Sequence, residues 1–271
     1  MSLILKRKTL DLLKKQELRP SKKLGQNFLI DERAVQKVIE AGNISSSDIV
    51  LEVGPGLGVL TVELAKRAKK VIAVEKDRNM ISHLKELGLK NLGIIEKDAL
   101  KLDVEELGLK EYKIVANLPF YLTAHFMRRF LESKIKPSQM VLVVQKEVGQ
   151  RICAKPPKMS ILSVSVQVYA DARIVSYIPK KSFYPVPNVD SVIIRVSLKE
   201  PLVSSDEVGL FFKIVKAGFS QPRKQLANNL AKGLGLGKIE VGQWLMDNDI
   251  QPSQRAETLG VRDWVKLMRD F

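Results

Sequence analysis

The sequence predicts an α/β fold: a mainly parallel sheet flanked by helices, followed by a small all-helical C-terminal domain. Two observations carry this expectation. From Asp48 to about Val148, short β-branched runs alternate with helical stretches, the signature of βαβ units. Beyond Glu200-Pro201 the strand-like runs stop, and apolar residues recur three and four apart. The 271 residues, 45% of them apolar, suffice for two such domains with real cores.

The elements follow in order. Residues 1–23 form a basic N-terminal arm, with Lys6, Arg7, Lys8, Lys14, Lys15, Arg19, Lys22 and Lys23 set against Asp11 and Glu17. It is expected to order only in part, or on a partner. Asp31 is a candidate N-cap for a helix carrying Ala34, Val35, Val38 and Ile39, and Gly42 ends it. DIVLEVG, VIAVEKD, GIIEKDA, KIVANLPF and MVLVVQKEV read as strands, with TVELAKRA and NMISHLKEL as helices between them. SILSVSVQVYA and SVIIRVSL lack a long helix between them and fit an antiparallel pair closing one edge of the sheet. The boundary falls at residues 198–203, separating a domain of residues 1–200 from one of residues 201–271.

Charge narrows the function. Lys and Arg number 45 against 30 Asp and Glu, a formal charge of +15. Such a balance suits a polyanion, because neutralised phosphates release counterions. Simple solubility is the blander reading. Lys22 and Lys23 in the arm, and Arg223 and Lys224 in the C-terminal region, are the candidate RNA contacts; the bland alternative for the last two is a solvated helix face. No apolar run approaches the roughly 18 residues of a membrane span. MSLILKRKTL has no signal-peptide cleavage site. The single Cys153 excludes an internal disulfide and a Cys-rich metal cluster, and neither His83 nor His125 has a partner at metal-ligand spacing. A cytoplasmic protein without a metal site is expected, with His83 in an exposed helical setting.

Three stretches carry candidate chemistry along one sheet edge. In LEVGPGLGVLT, Gly54, Gly56 and Gly58 let backbone amides approach a ligand at a helix N-terminus. Val59 occupies the position where a dinucleotide fingerprint wants its last glycine, which weakens a nicotinamide reading. Glu75 ends the next strand and is either a ribose acceptor or a solvated strand end. Asp98 follows the third strand as an acceptor for an adenine amino group, or as a helix N-cap. In an open α/β sheet the carboxyl edge is where ligands bind, and the ordered series fits a nucleoside with an amino-acid tail.

The fourth stretch is NLPFYLTA at the end of the fourth strand. An adenine amino group is a poor nucleophile because its lone pair is delocalised into the ring. The Asn117 side-chain oxygen and the Leu118 carbonyl oxygen can accept its two protons and stabilise the charge that develops on methyl transfer. Pro119 fixes the turn, and Phe120 or Tyr121 can stack on the base.

Asn-Leu-Pro-Phe resembles the motif of amino-group methyltransferases that use S-adenosyl-L-methionine (SAM). Over almost its whole length the chain resembles the KsgA-type small-subunit (16S) ribosomal RNA adenine N6,N6-dimethyltransferases. The resemblance rests on LGQNFLID (Leu24–Asp31), LEVGPGLGVLT, Glu75, Asp98, NLPF, FYPVPNVDSVIIR (Phe183–Arg195), FSQPRKQLANNL (Phe219–Leu230) and QRAETL (Gln254–Leu259). It implies a Rossmann-like SAM-binding catalytic domain and a helical rRNA-binding domain. It places Gln26, Asn27 and Leu29 at the cofactor, Gly54 beneath its methionine end with Gly56 in the same turn, Glu75 at the ribose, Asp98 at the adenine, and Asn117 at both cofactor and target. Phe183 would stack on the face of the target base opposite Phe120, as extrusion of a base requires.

The implied reaction is dimethylation of two adjacent adenosines near the 3′ end of small-subunit rRNA, by a monomer with a role in subunit biogenesis. The chain departs from the family in having Phe120 where Tyr is common and Pro222 where a basic residue is common. Three rivals remain at this stage: a methyltransferase of the large subunit, an assembly factor in which methylation is incidental, and, weakest, a nicotinamide dehydrogenase.

Overall fold

Strand β2 (Ile49–Val53) is the centre from which the sheet grows in both directions. The computed structural model describes residues 2–21, 24–119 and 122–271. In chain order they form α1 (Ser2–Lys15), β1 (Phe28–Leu29), α2 (Glu32–Gly42), β2, α3 (Val59–Ala65), β3 (Lys70–Glu75), α4 (Arg78–Glu86), β4 (Leu92–Glu96), β5 (Lys113–Asn117), α5 (Thr123–Leu131), β6 (Gln139–Gln145) and α6 (Lys146–Ile152). Then come α7 (Ile161–Gln167), β7 (Ala170–Ile178), β8 (Phe183–Tyr184), β9 (Ser191–Leu198), α8 (Val208–Gly218), α9 (Leu226–Leu234), α10 (Lys238–Asp247) and α11 (Val261–Arg269). The seven-stranded sheet runs β4-β3-β2-β5-β6-β9-β7, and β1 and β8 form a separate two-stranded ribbon. Strands β2 through β6 pair in parallel, and β9 lies antiparallel to β6.

This order sets the site. From β2 the chain winds outward to β3 and β4, then returns to place β5 on the other side of β2. The reversal leaves a crevice at the carboxyl ends of β2 and β5, where open α/β sheets bind ligands. Val50, Val71, Val115, Val141 and Ile193 of the sheet pack with Val35, Val38 and Ile39 of α2 and with Leu60 and Leu64 of α3. Buried apolar packing of this kind makes the strand ends a rigid frame.

By contacts the chain divides into two compact units, Met1–Gly149 with Ala172–Leu198, and Gln150–Asp171 with Lys199–Phe271. The sequence-based split at residue 200 put 150–171 in the first domain; here that segment groups with the C-terminal helices. Within the second unit, Trp264 is fully buried and its ring lies 5.4 Å from that of Phe219. Asn229 is buried as well, its Nδ2 donating to the carbonyls of Gly218 (2.7 Å) and Gln221 (2.9 Å).

Four expectations are corrected. SILSVSVQ, read as a strand, is helix α7. Ser160 accepts from the Ser163 amide while the Ser163 hydroxyl accepts from the Ser160 amide, a capping box that overrides the alternating pattern. The edge strand is ADARIVSYI instead. The basic arm is a helix through Lys15, and its Leu13 packs with Phe28, Leu57 and Met80. The helical reading across FSQPRKQL breaks: α8 stops at Gly218 and α9 starts at Leu226, so Arg223 and Lys224 lie exposed in the turn rather than on a helix face. His83 is buried, and neither ring nitrogen has a hydrogen-bond partner among the described residues.

Candidate active site

The cavity at the carboxyl edge is lined by Leu24–Leu29, the glycine turn from Val53 to Leu57, Glu75, Lys76, Lys97, Asp98, Ala99, Asn117, Leu118, Pro119, Leu122 and Phe183. The chain thus gathers segments 160 residues apart in sequence into one recess. Of the expected site residues, Gln26, Asn27, Leu29, Gly54, Gly56, Glu75, Asp98, Asn117, Leu118 and Phe183 all line it. Phe120, Lys22 and Lys23 lie outside the described residues. Arg223 and Lys224 belong to the second unit.

The glycine turn has a backbone only glycine adopts easily. Gly54 has φ +67° and Gly56 φ +54°. A Cβ on Gly54 would stand 3.8 Å from the Asn117 carbonyl oxygen, and one on Gly56 would strike the Phe28 ring at 2.9 Å. Bare backbone at Gly54 therefore keeps the crevice between β2 and β5 open, and at Gly56 it lets Phe28 close over the turn.

Glu75 ends β3 and is buried. Its Oε1 accepts from the amides of Lys76 (2.8 Å) and Asp77 (3.0 Å), and its Oε2 accepts from the Gly56 amide at 3.3 Å. Burial raises its affinity for a proton, while the three amides pull the other way. Three of about four acceptor positions are engaged, and the Gly56 contact is the longest. Asp98 caps the short turn that follows it, its Oδ1 accepting from the Leu100 amide (3.0 Å). Its Oδ2 lies 3.7 Å from Lys76 Nζ.

Among the described residues, the Asn117 side chain makes one hydrogen bond. Its Nδ2 donates to the Asn27 carbonyl at 2.9 Å, which leaves Oδ1 as the acceptor end of the amide. Asn27 Nδ2 in turn donates to the Gly25 carbonyl. Leu118 is buried, and its amide donates to the Val143 carbonyl (3.2 Å), anchoring the residue whose own carbonyl follows β5. Phe183 is 1% exposed and pairs across the ribbon with Leu29.

Gln26 lines the cavity and is also tied into the fold. Both ends of its amide are engaged by protein: Oε1 accepts from the Ser21 amide (2.7 Å) and Nε2 donates to Asp77 Oδ2 (2.8 Å). It latches the segment before β1 to the end of β3, a bond across 51 residues that no local pattern signals.

Sequence reasoning also missed Glu52, which is 1% exposed and flanked in the sheet by Ala73 and Val115. Neither carboxyl oxygen has a hydrogen-bond partner among the described residues. Burial pushes the group up to about 8; the nearby Thr61 hydroxyl, itself outside hydrogen-bond geometry, opposes the rise, and the charge of Glu75 adds to it. The signal was a lone acid inside an otherwise apolar run. Cys153 is half-buried and its thiol is pushed up to about 11 by burial, so it is no nucleophile at neutral pH. Among the described residues no group of His, Cys, Asp and Glu is placed to hold a metal ion.

The sequence profile described as "Ribosomal RNA adenine dimethylase" matches residues 18–270. The chain belongs to the ribosomal RNA adenine dimethylase family. A protein of Dehalococcoides mccartyi named "Ribosomal RNA small subunit methyltransferase A" is 43% identical over 96% of this chain and 91% of its own. One of the same name in Moorella thermoacetica is 39% identical over 97% of this chain and 96% of its own. Among solved structures, a dimethyladenosine transferase from Plasmodium falciparum superposes with a TM-score of 0.75 at 28% identity, covering 88% of this chain and 94% of that one. The 23S rRNA methyltransferase ErmE shares the fold, with a TM-score of 0.75 at 23% identity over 90% of this chain and 99% of that one.

The adenine dimethylase is an rRNA (adenine-N6,N6)-dimethyltransferase with a Rossmann-like catalytic sheet, and its methyl donor is SAM. The cavity suits that donor. Carboxylates at the end of β3 and beyond β4 can accept hydroxyl and amino groups, and the Gly54 crevice admits a ligand chain against bare backbone. No helix among the described residues is long and apolar enough to cross a membrane.

Proposed function

We propose that this dimethylase acts as a cytoplasmic monomer on 16S rRNA in the small ribosomal subunit or its precursor, converting two adjacent adenosines near the 3′ end to N6,N6-dimethyladenosine. The observation that carries the site assignment is Asn117, whose amide is oriented by the Asn27 carbonyl so that Oδ1 is left as an acceptor. The names of the relatives support the small-subunit target.

Bound SAM supplies an electrophilic methyl group on a sulfonium. Glu75 would hold the ribose, one hydroxyl taking the acceptor position left on Oε2 and a second displacing the long Gly56 contact. Asp98 Oδ2 would accept the adenine amino group, and the turn at Gly54 and Gly56 would lie under the methionine end, with Asn27 and Leu29 closing the near side. Gln26 would contact the cofactor from the same side, its amide held in place by the latch to Asp77.

At the target, Asn117 Oδ1 and the Leu118 carbonyl accept the N6 hydrogens. They favour the pyramidal nitrogen and stabilise its positive charge as the methyl arrives. The proton is released as the alkylated amine acidifies, so a strong general base is not required. Phe183 and Phe120 sandwich the extruded base. Lys22 and Lys23 of the catalytic domain, and Arg223 and Lys224 of the helical rRNA-binding domain, take rRNA phosphates.

Purified small and large subunits lacking the modification, offered labelled SAM in parallel, test the assignment. Label recovered as N6,N6-dimethyladenosine in small-subunit RNA supports it. Label in the large subunit alone overturns the target while keeping the chemistry.

A further inference from the structure

A second recess lies beside the active site and has no role in the reading above. It is lined by Leu10, Leu13, Lys14, Glu17, Leu18, Arg19 and Pro20 from α1 and the turn after it, and by Tyr184. Tyr184 follows Phe183 in β8, and successive side chains of a strand point to opposite faces. Phe183 is 1% exposed in the active-site cavity, whereas Tyr184 is 36% exposed and lines the second recess. The two-residue ribbon, with Phe28 opposite Tyr184 and Leu29 opposite Phe183, carries three rings: Phe28 and Phe183 line the active-site cavity, and Tyr184 lines the second recess.

We propose that the α1–Tyr184 recess is a binding subsite for the single-stranded RNA nucleotide adjacent to the target adenosine. The proposal rests on the base-extruding reading of the Phe183 cavity. A base drawn out of its stack carries its backbone with it, so a neighbouring nucleotide comes to lie on the protein surface just outside the cavity. That neighbour has lost a stacking partner, and an exposed ring restores one.

The recess has the parts this requires. Tyr184 offers the ring, and Leu10, Leu13, Leu18 and Pro20 offer an apolar floor for base and ribose. Lys14 and Arg19 are exposed and form no ion pair with another described residue, which leaves both charges for a phosphate. Glu17 is the one opposing charge among the lining residues, against the two cations. The floor is fixed, because Leu13 is buried with Phe28, Leu57 and Met80 behind the glycine turn. Cofactor site and subsite thus share one wall.

The test uses the full chain and an RNA stem-loop with two adjacent adenosines, in which 2-aminopurine replaces the nucleotide on the 5′ or the 3′ side of the target. Binding of wild type should quench the fluorophore on one side. Tyr184→Ala should abolish that quenching and raise KM for small subunits roughly tenfold, the scale of one lost base–aromatic stack. Its kcat at saturating RNA and its SAM affinity should hold, and Tyr184→Phe should behave as wild type. Lys14→Ala with Arg19→Ala should raise KM and weaken its salt dependence with the ring intact, and this pair decides the matter if Tyr184→Ala no longer binds SAM. Unchanged quenching and KM in Tyr184→Ala, or no quenching on either side by wild type, overturns the proposal. Failure of wild type to methylate any subunit counts instead against the proposed function, since the fluorescence is read without turnover.

Discussion

Replacing Glu52 with Gln isolates a charge that the floor of the active site disfavours. The carboxyl is 1% exposed, two residues before Gly54, with no hydrogen-bond partner among the described residues. Burial moves it from 4.5 in the unfolded chain to about 8 in the fold. A group raised in this way stabilises the fold fully below the unfolded value, and that stability is lost as pH rises through the folded one. Each pH unit in the window from about 4.5 to about 8 removes about 1.4 kcal/mol, so the full span is on the order of 5 kcal/mol.

Glu52→Gln cannot ionise and lacks this dependence. Urea unfolding of both proteins, free of cofactor, across pH 4.5 to 9 reads the difference directly. Below the window the difference reports only the cost of burying an amide. With rising pH it should move in favour of the variant by roughly 3–5 kcal/mol, while other titrating groups largely cancel. A difference that stays constant across the range would show that Glu52 is charged in the fold at neutral pH and refute the reasoning.

Three further outcomes are expected. Glu75→Gln should weaken SAM binding roughly 10- to 100-fold, the worth of a hydrogen bond to a charged acceptor; calorimetric titration measures it, and an unchanged affinity removes Glu75 from the ribose. Charge reversal at Arg223 and Lys224 should weaken rRNA binding and reduce the salt slope by roughly 0.7–0.9 per lost contact, whereas an unchanged slope makes them solvated turn residues. Asn229→Ala leaves the Gly218 carbonyl without its buried donor, while the Gln221 carbonyl keeps the Lys224 amide (2.9 Å). It should cost about 1–3 kcal/mol of stability, seen as a lower thermal midpoint with SAM affinity unchanged.

The parallel sheet and the carboxyl-edge site were legible because each rests on a local pattern. Strands β2 to β6 are short β-branched runs, and the glycine turn, Glu75, Asp98 and Asn117 each sit at a strand end the run itself marks. What was illegible depends on partners distant in sequence or on competing local bonds. Ribbon β1–β8 has two residues per strand, too few to show a period. The bonds of Gln26 to Ser21 and Asp77 join residues that no local pattern brings together. The serines of α7 imitate a strand's alternation while bonding to their own backbone. Asn229 reads as a polar residue on a helix and is in fact buried across two carbonyls. The grouping of residues 150–171 with the C-terminal helices follows from tertiary contacts alone.

The most direct test of the central claim is single-turnover methyl transfer by wild type and Asn117→Ala, mapped to the nucleotide on small subunits lacking the modification. Wild type should place two methyl groups on each of two adjacent adenosines near the 3′ end. At saturating SAM the variant should bind RNA yet transfer at least roughly 100-fold more slowly, the scale of one lost acceptor at a charged transition state. Equal rates in the two proteins would contradict the assignment of Asn117 as the group that polarises the target amine.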